Sequence, residues 1–182
     1  MGNLITGEAN RDIVKGSCPD SETSSLRGGD VRVGDIGQRG KGQFFTIGYE
    51  GRTAESMCDT LSARGIKLLV DVREVPTSRK PGFSKNSLIN TMESHGMQYV
   101  HVRNLGSPKQ TREELKRTGN LRSFFDSYGR HLALMKEDVE SLARMAGEMP
   151  TAIMCLERDA SECHRSIIGS RMRELGFEII DL

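Results

Sequence analysis

From Gln43 to the C-terminus, apolar runs of strand length alternate with segments of helical spacing, and this alternation limits the fold more than any other feature. The runs fall at 44–49, 67–73, 97–102, 151–156 and 177–182. Leu68-Leu69-Val70 and Ala152-Ile153-Met154 are unbroken apolar stretches, the form expected of strands buried on both faces. Strands that alternate with helices imply a parallel sheet. Right-handed crossovers then place the loops that follow the strands on one edge. The expected fold is α/β: a single open, mostly parallel five-stranded sheet with helices on both faces, Rossmann-like in outline.

The helices are bounded by recognisable signals. Thr53 has the character of an N-cap, and Ala54, Met57, Cys58 and Leu61 recur at helical spacing before Gly65 stops the segment. Ser84 is expected to cap a helix over 85–95 that Gly96 ends. Residues 103–120 read as irregular, with one helical turn near 113–117. Residues 121–145 read as one long helix or two joined near Gly129. The last helix is expected over 163–175, capped by Ser161 or a neighbour and ended by Gly176.

Residues 1–41 differ from the rest. They hold eight glycines, no aromatic residue, and six Lys/Arg against six Asp/Glu. Such a segment has little to bury and is expected to be a flexible tail, with a short strand at 30–36 as its one regular element. The domain proper is expected over 42–182.

The 182 residues suffice for one domain with a core. Charged residues make up 28% and hydrophobic ones 36%, within the range of globular proteins. No apolar run has the length of a membrane span, and no basic stretch leads into an apolar one as a secretory signal requires. Cys18, Cys58, Cys155 and Cys163 lack disulfide-framework spacing, so reduced thiols in a cytoplasmic protein are expected. A formal net charge of +1 argues against a globally basic nucleic-acid binder.

In open parallel sheets, ligands sit beyond the carboxyl ends of the strands. Two runs end there in chemically active residues: Val70-Asp71-Val72-Arg73, leading to Arg79, and Cys155-Leu156-Glu157, leading to Cys163-His164-Arg165. A shared edge would gather Asp71, Arg73, Arg79, Glu157, Cys163, His164 and Arg165 into one cleft. The loops at 48–52, 71–85, 101–109 and 155–165 carry nine Lys/Arg against six Asp/Glu, which favours an anionic ligand.

Arginine's planar fork matches phosphate and carboxylate oxygens, so Arg52, Arg73, Arg79 and Arg165 are the candidate anion ligands. Their structural alternative is pairing with Asp71, Glu74 and Glu157. Glu50, Asp71 and Glu157 are candidate proton carriers. Cys163, near a helix N-terminus that lowers a thiol's pKa, is a candidate nucleophile. The competing expectation is that Cys163 packs under its loop while His164 bonds a backbone carbonyl. Tyr49 offers a stacking face, and His101 ends the third strand on the same edge.

Cys155, Cys163, His164 and His101 are suitable metal ligands by type. No paired Cys-x2-Cys spacing exists, so no metal site is expected. Gly48-x-x-Gly51 falls short of the dinucleotide fingerprint, and no cofactor follows from it.

The stretch from Phe45 onward resembles the prokaryotic family numbered 488 among the domains of unknown function. The resemblance rests on Thr46-Ile-Gly-Tyr-Glu-Gly-Arg, Leu69-Val-Asp-Val-Arg, Ser78-Arg-Lys-Pro-Gly-Phe-Ser-Lys, Tyr99-Val-His, Leu105-Gly-Ser-Pro, and Cys155-Leu-Glu-Arg-Asp with Cys163-His-Arg-Ser. It implies a compact α/β domain and supplies neither an activity nor catalytic residues. A weaker similarity to rhodanese-like domains rests on Val-Asp-Val-Arg-Glu and a cysteine at a strand end. The helix here begins too late for their sulfur-carrying loop.

The expected function is an enzyme acting on an anionic, phosphate-bearing substrate, either a nucleotide or a nucleic-acid component. The alternatives are a non-catalytic nucleotide or nucleic-acid binding module and a rhodanese-like sulfur carrier. The expected partner is an anionic small molecule or nucleic acid, with no membrane. The sequence specifies no oligomeric state.

Overall fold

The computed structural model describes residues 42–182, so the expected tail and its strand at 30–36 lie outside the described residues. Five strands alternate with helices in chain order: β1 Gln43–Gly48, α1 Ala54–Ala63, β2 Leu68–Asp71, α2 Lys85–Ser94, β3 Gln98–His101, α3 Lys109–Thr118, α4 Leu121–Leu134, α5 Lys136–Glu148, β4 Thr151–Cys155, α6 Arg165–Glu174 and β5 Glu178–Asp181. Short 3-10 turns lie at Arg103–Leu105 and Ala160–Glu162.

The strands form one sheet in the order β3-β2-β4-β1-β5. Every pairing is parallel, with Phe44 beside Thr151 and Ile179, and Leu68 beside Gln98 and Thr151. β4 is therefore the central strand. Its four buried apolar residues after Thr151 account for the unbroken hydrophobic run in the sequence.

Side-chain alternation along the strands divides the interior in two. Phe45, Ile47, Leu69 and Met154 pack with Met57, Leu61, Leu88 and Met92 of α1 and α2. Phe44, Val70, Val72 and Ile153 pack with Tyr128, Leu132, Leu142, Ile168 and Met172 of α4, α5 and α6. Each large aliphatic side chain buried in these layers contributes about 1.5–3 kcal/mol. The chain leaves β1 and β2 toward the first layer and β4 toward the second. Neighbouring strands whose connections diverge in this way leave a crevice above their carboxyl ends, centred here on β4.

Local signals explain most boundaries. Thr53 caps α1: its hydroxyl accepts from the Ser56 amide and the Ser56 hydroxyl accepts from the Thr53 amide. Gly65, Gly96 and Gly176 follow their helices at positive φ, as the left-handed stop requires. Ser84 holds the N-cap position of α2, but its hydroxyl meets Ser87 Oγ at 2.8 Å instead of capping.

Three boundaries differ from the sequence reading. α3 is a full helix, not a single turn. It buries no residue, so it carries no apolar period to read. The helical stretch after residue 120 does divide, but at Met135 and not at Gly129, which lies inside α4. Glu137 and Asp138 fall in the first turn of α5, where acidic groups favour a new N-terminus. α6 starts at Arg165, and Ser161 does not cap it. Asp159 instead caps the preceding 3-10 turn by accepting from the Ser161 amide and hydroxyl. Among the described residues, no helix is long and apolar enough to cross a membrane.

Candidate functional site

Cys155 closes β4, and beyond it the chain crosses the end of β1. Gly48 permits this crossing: a Cβ there would lie 1.9 Å from the Glu157 carbonyl oxygen. The 3-10 turn then reverses direction, and Cys163 adopts an extended conformation (φ −122°, ψ 147°) before α6 begins. This path returns Cys163 and His164 to the end of the strand that Cys155 left.

One ligand-type atom from each of Cys155, Glu157, Cys163 and His164 lies within 4.8 Å of the others. His164 Nδ1 stands 3.7 Å from Cys155 Sγ and 3.6 Å from Cys163 Sγ. Cys163 Sγ lies 3.0 Å from Glu157 Oε2. Cys163 precedes the helix, so its side chain and that of His164 are free to turn toward one point.

Neighbouring groups hold this centre. His164 Nε2 donates to the Val72 carbonyl at 3.1 Å, and the Tyr128 ring meets the imidazole edge-on at 5.0 Å between centroids. Tyr128 is itself fixed by donating to the Leu105 carbonyl at 2.6 Å. Cys163 Sγ accepts from Arg165 Nε at 3.4 Å and from the Arg165 amide at 3.5 Å. The rest of the Arg165 guanidinium donates to Thr46 Oγ1 at 3.1 Å and to the Glu157 carbonyl at 2.6 Å. Cys155, Cys163, His164 and Arg165 are 6%, 1%, 4% and 1% exposed, whereas Glu157 is half-buried.

These surroundings set the charge. Burial opposes ionisation of the Cys163 thiol. Hydrogen bonds to Cys155 and His164, with the charges of His164 and Arg165, outweigh burial and hold its pKa well below the ordinary value. Burial also opposes protonation of His164, but the Cys163 sulfur pulls its pKa up. Cys155 is pushed well up by its hydrogen bond to Cys163 and by burial. Glu157 is raised by burial and by the charge on Cys163. The charge on Cys163 is thus stabilised by His164 and Arg165, while Cys155 remains a donor.

A second cluster occupies the other face of the sheet edge. Asp71 is fully buried and accepts from Arg73 Nη2 at 2.5 Å, Arg73 Nε at 2.9 Å and Tyr99 Oη at 2.7 Å. Arg73 also donates to the Phe83 carbonyl at 2.9 Å and to Tyr49 Oη at 3.3 Å. Its guanidinium lies 5.3 Å from the centroid of the Tyr49 ring, which stacks on Phe83 at 4.3 Å. Burial works against the Arg73 charge, but Asp71 more than compensates and raises its pKa. Burial and Asp71 likewise raise Tyr99. His101 Nε2 donates to the Arg73 carbonyl at 2.8 Å.

The residues expected in one cleft thus form two clusters, back to back across the carboxyl edge. Register explains the division: Asp71 aligns with Met154, so Cys155 falls on the opposite face. The expected arginine–carboxylate pairing holds for Arg73 with Asp71, while Glu74 pairs with Arg112 instead. Glu157 meets a thiol. Glu50 Oε2 accepts from the Arg158 amide at 3.2 Å at the rim. Arg52 turns away to Thr60 Oγ1 at 3.1 Å. Arg79 is exposed and makes no side-chain hydrogen bond or ion pair with another described residue. Sequence reasoning named Cys155 only as a metal-ligand type and did not assign Tyr128, Tyr99 or Thr46 to the site. The position of Cys155 as the last residue of the central strand was the available signal.

These features define a parallel α/β domain with a buried thiol–imidazole–carboxylate centre over its middle strand. The sequence profile of the family described as Domain of unknown function DUF488 matches residues 53–172, and the chain belongs to that family. No curated protein and no solved structure matches the chain.

Proposed function

We propose that the chain is an enzyme acting on an anionic, phosphate-bearing small molecule at the carboxyl edge of its sheet, with the segment from Cys155 to Arg165 as the chemical centre. The observation that carries this reading is the gathering of two thiols, an imidazole and a carboxylate within 4.8 Å over the central strand. Such a cluster is costly to bury. Its place above β4 is also where open parallel sheets receive ligands.

Glu157 is the member of the centre that reaches toward the surface, which suits it to meet the ligand and move a proton. Cys163 and His164 lie behind it. Arg73 and Arg165 are spent on protein groups, so anion recognition falls to exposed Arg79, Arg103 and Arg158 on the loops that follow β2, β3 and β4. Glu50, at the rim, orients the Arg158 backbone.

Thermal shift against inorganic phosphate and a panel of nucleotides and short oligonucleotides tests this reading. A ligand of this class is expected to raise the melting temperature. Arg79→Ala with Arg158→Ala should abolish the rise and leave the unliganded melting temperature in place. Turnover of the stabilising ligand, lost in Glu157→Gln, marks an enzyme; binding without turnover marks a non-catalytic module. If no compound of the panel stabilises the protein, the reading fails.

A further inference from the structure

We propose that Cys155 Sγ, Cys163 Sγ, His164 Nδ1 and the Glu157 carboxylate form a tetrahedral site for one zinc ion. Zinc bonds of about 2.3 Å to sulfur and about 2.0–2.2 Å to nitrogen and oxygen separate tetrahedral ligand atoms by about 3.3–3.8 Å. The two sulfur-to-Nδ1 distances, 3.7 and 3.6 Å, lie in that range. The sulfur–carboxylate contact at 3.0 Å needs only a small opening to admit the ion.

The surroundings have the form that a metal site requires. A ligating histidine commonly donates its other ring nitrogen to a carbonyl, which fixes the tautomer and aims the free nitrogen at the ion. His164 Nε2 does this to Val72. Two N–H groups of Arg165 point at Cys163 Sγ, as outer hydrogen bonds do at a zinc-bound thiolate. Two thiolates and a carboxylate against a dication leave one net negative charge, which the buried Arg165 guanidinium balances. The donor set of two sulfurs, one nitrogen and one oxygen suits zinc over calcium or magnesium, which take oxygen ligands. Binding releases the remaining thiol protons to solvent and needs no other reactant.

Three ligands are buried, and Glu157 alone is half-exposed. It is therefore the ligand that an incoming oxygen can displace. A substrate oxygen taking its place would leave the carboxylate beside the ion as a base. The metal site stands on ligand geometry alone and deepens the enzymatic reading only through this exchange.

Metal titration of the full chain tests the proposal. The protein is reduced, stripped with a chelator that is then removed, and titrated with cobalt(II) and separately with zinc. One cobalt per chain is expected, with the strong visible bands of a tetrahedral ion and thiolate-to-cobalt charge transfer, both erased by zinc. Cys18→Ser and Cys58→Ser should keep these bands, and Cys155→Ser with Cys163→Ser should lose them. Absence of charge transfer in the wild type, or its survival in that double variant, overturns the site. Should the double variant not fold, alkylation of the wild type decides. Zinc must slow modification of Cys155 and Cys163 and leave Cys58 unchanged, and equal slowing of all three overturns the site. Repeating the nucleotide thermal shift on stripped and zinc-loaded protein separates the two readings. A shift in the stripped chain preserves ligand binding even where the metal titration fails.

Discussion

His164 Nε2 stands 3.1 Å from the carbonyl oxygen of Val72, and that contact fixes the role of the ring's other nitrogen. A carbonyl can only accept, so Nε2 carries a proton and Nδ1 faces the two sulfurs. Val72 follows β2 while His164 precedes α6, so the bond also ties two separate elements together. His164→Ala would leave a buried carbonyl without its partner, at a cost of about 1–3 kcal/mol. Urea denaturation of wild type and variant, both with chelator, measures this cost apart from any metal. An unchanged midpoint would show that the ring does not anchor the edge.

Asp71 and Arg73 are a buried ion pair with every strong donor engaged. Removing one partner strands the other, and Asp71→Ala is expected to cost about 3–5 kcal/mol. Arg73→Ala would leave Asp71 fully buried with only Tyr99 and the Arg73 backbone amide as donors. A double-mutant cycle should show a coupling energy of about 0.5–3 kcal/mol. Additive losses would mean that the pair contributes little beyond its packing.

The Cys58 thiol is pushed up to about 11 from 9.0 by burial, with help from Glu55 and Asp59. The folded chain therefore holds this proton where the unfolded chain has released it. That contribution to stability is fully present below about pH 9 and is lost as pH rises through about 11. Equilibrium unfolding between these limits should lose stability more slowly with pH in Cys58→Ala than in wild type. Equal slopes would place the titrating proton elsewhere.

Much of the fold was legible because its signals are local. Thr53, Gly65, Gly96 and Gly176 bound their elements as capping chemistry requires, and the apolar runs were the strands. The break at Met135 was hidden because neither glycine nor proline marks it, while Gly129 is tolerated inside α4. The site was legible by residue type but not by arrangement. Asp71 and Cys163 were expected in one cleft, yet Asp71 aligns with Met154 while Cys163 joins Cys155 on the opposite face, a division set by the β2–β4 register, which no sequence spacing encodes. The approach of Cys163 to Cys155 depends on the Asp159-capped turn between them. A motif rule seeking closely paired cysteines passes over a cluster drawn from a strand end and a helix start.

Gly48 offers the sharpest test of how the centre is positioned. Its missing side chain leaves room for the Glu157 backbone, and an alanine methyl would stand 1.9 Å from that carbonyl oxygen. Backbone atoms cannot yield as a flexible side-chain tip does, so the 157–158 segment must move away from β1. Overpacking of this kind costs about 1–3 kcal/mol. The same shift pulls Glu157 from Cys163 and loosens the Glu157 carbonyl from Arg165. Gly48→Ala is therefore expected to lower the melting temperature modestly and to weaken cobalt binding, with the circular dichroism of the sheet retained. Glu157→Gln separates the two effects: it should weaken the metal site without the loss of stability. A Gly48→Ala protein with wild-type cobalt bands would show that the Glu157 loop does not set the geometry of the centre.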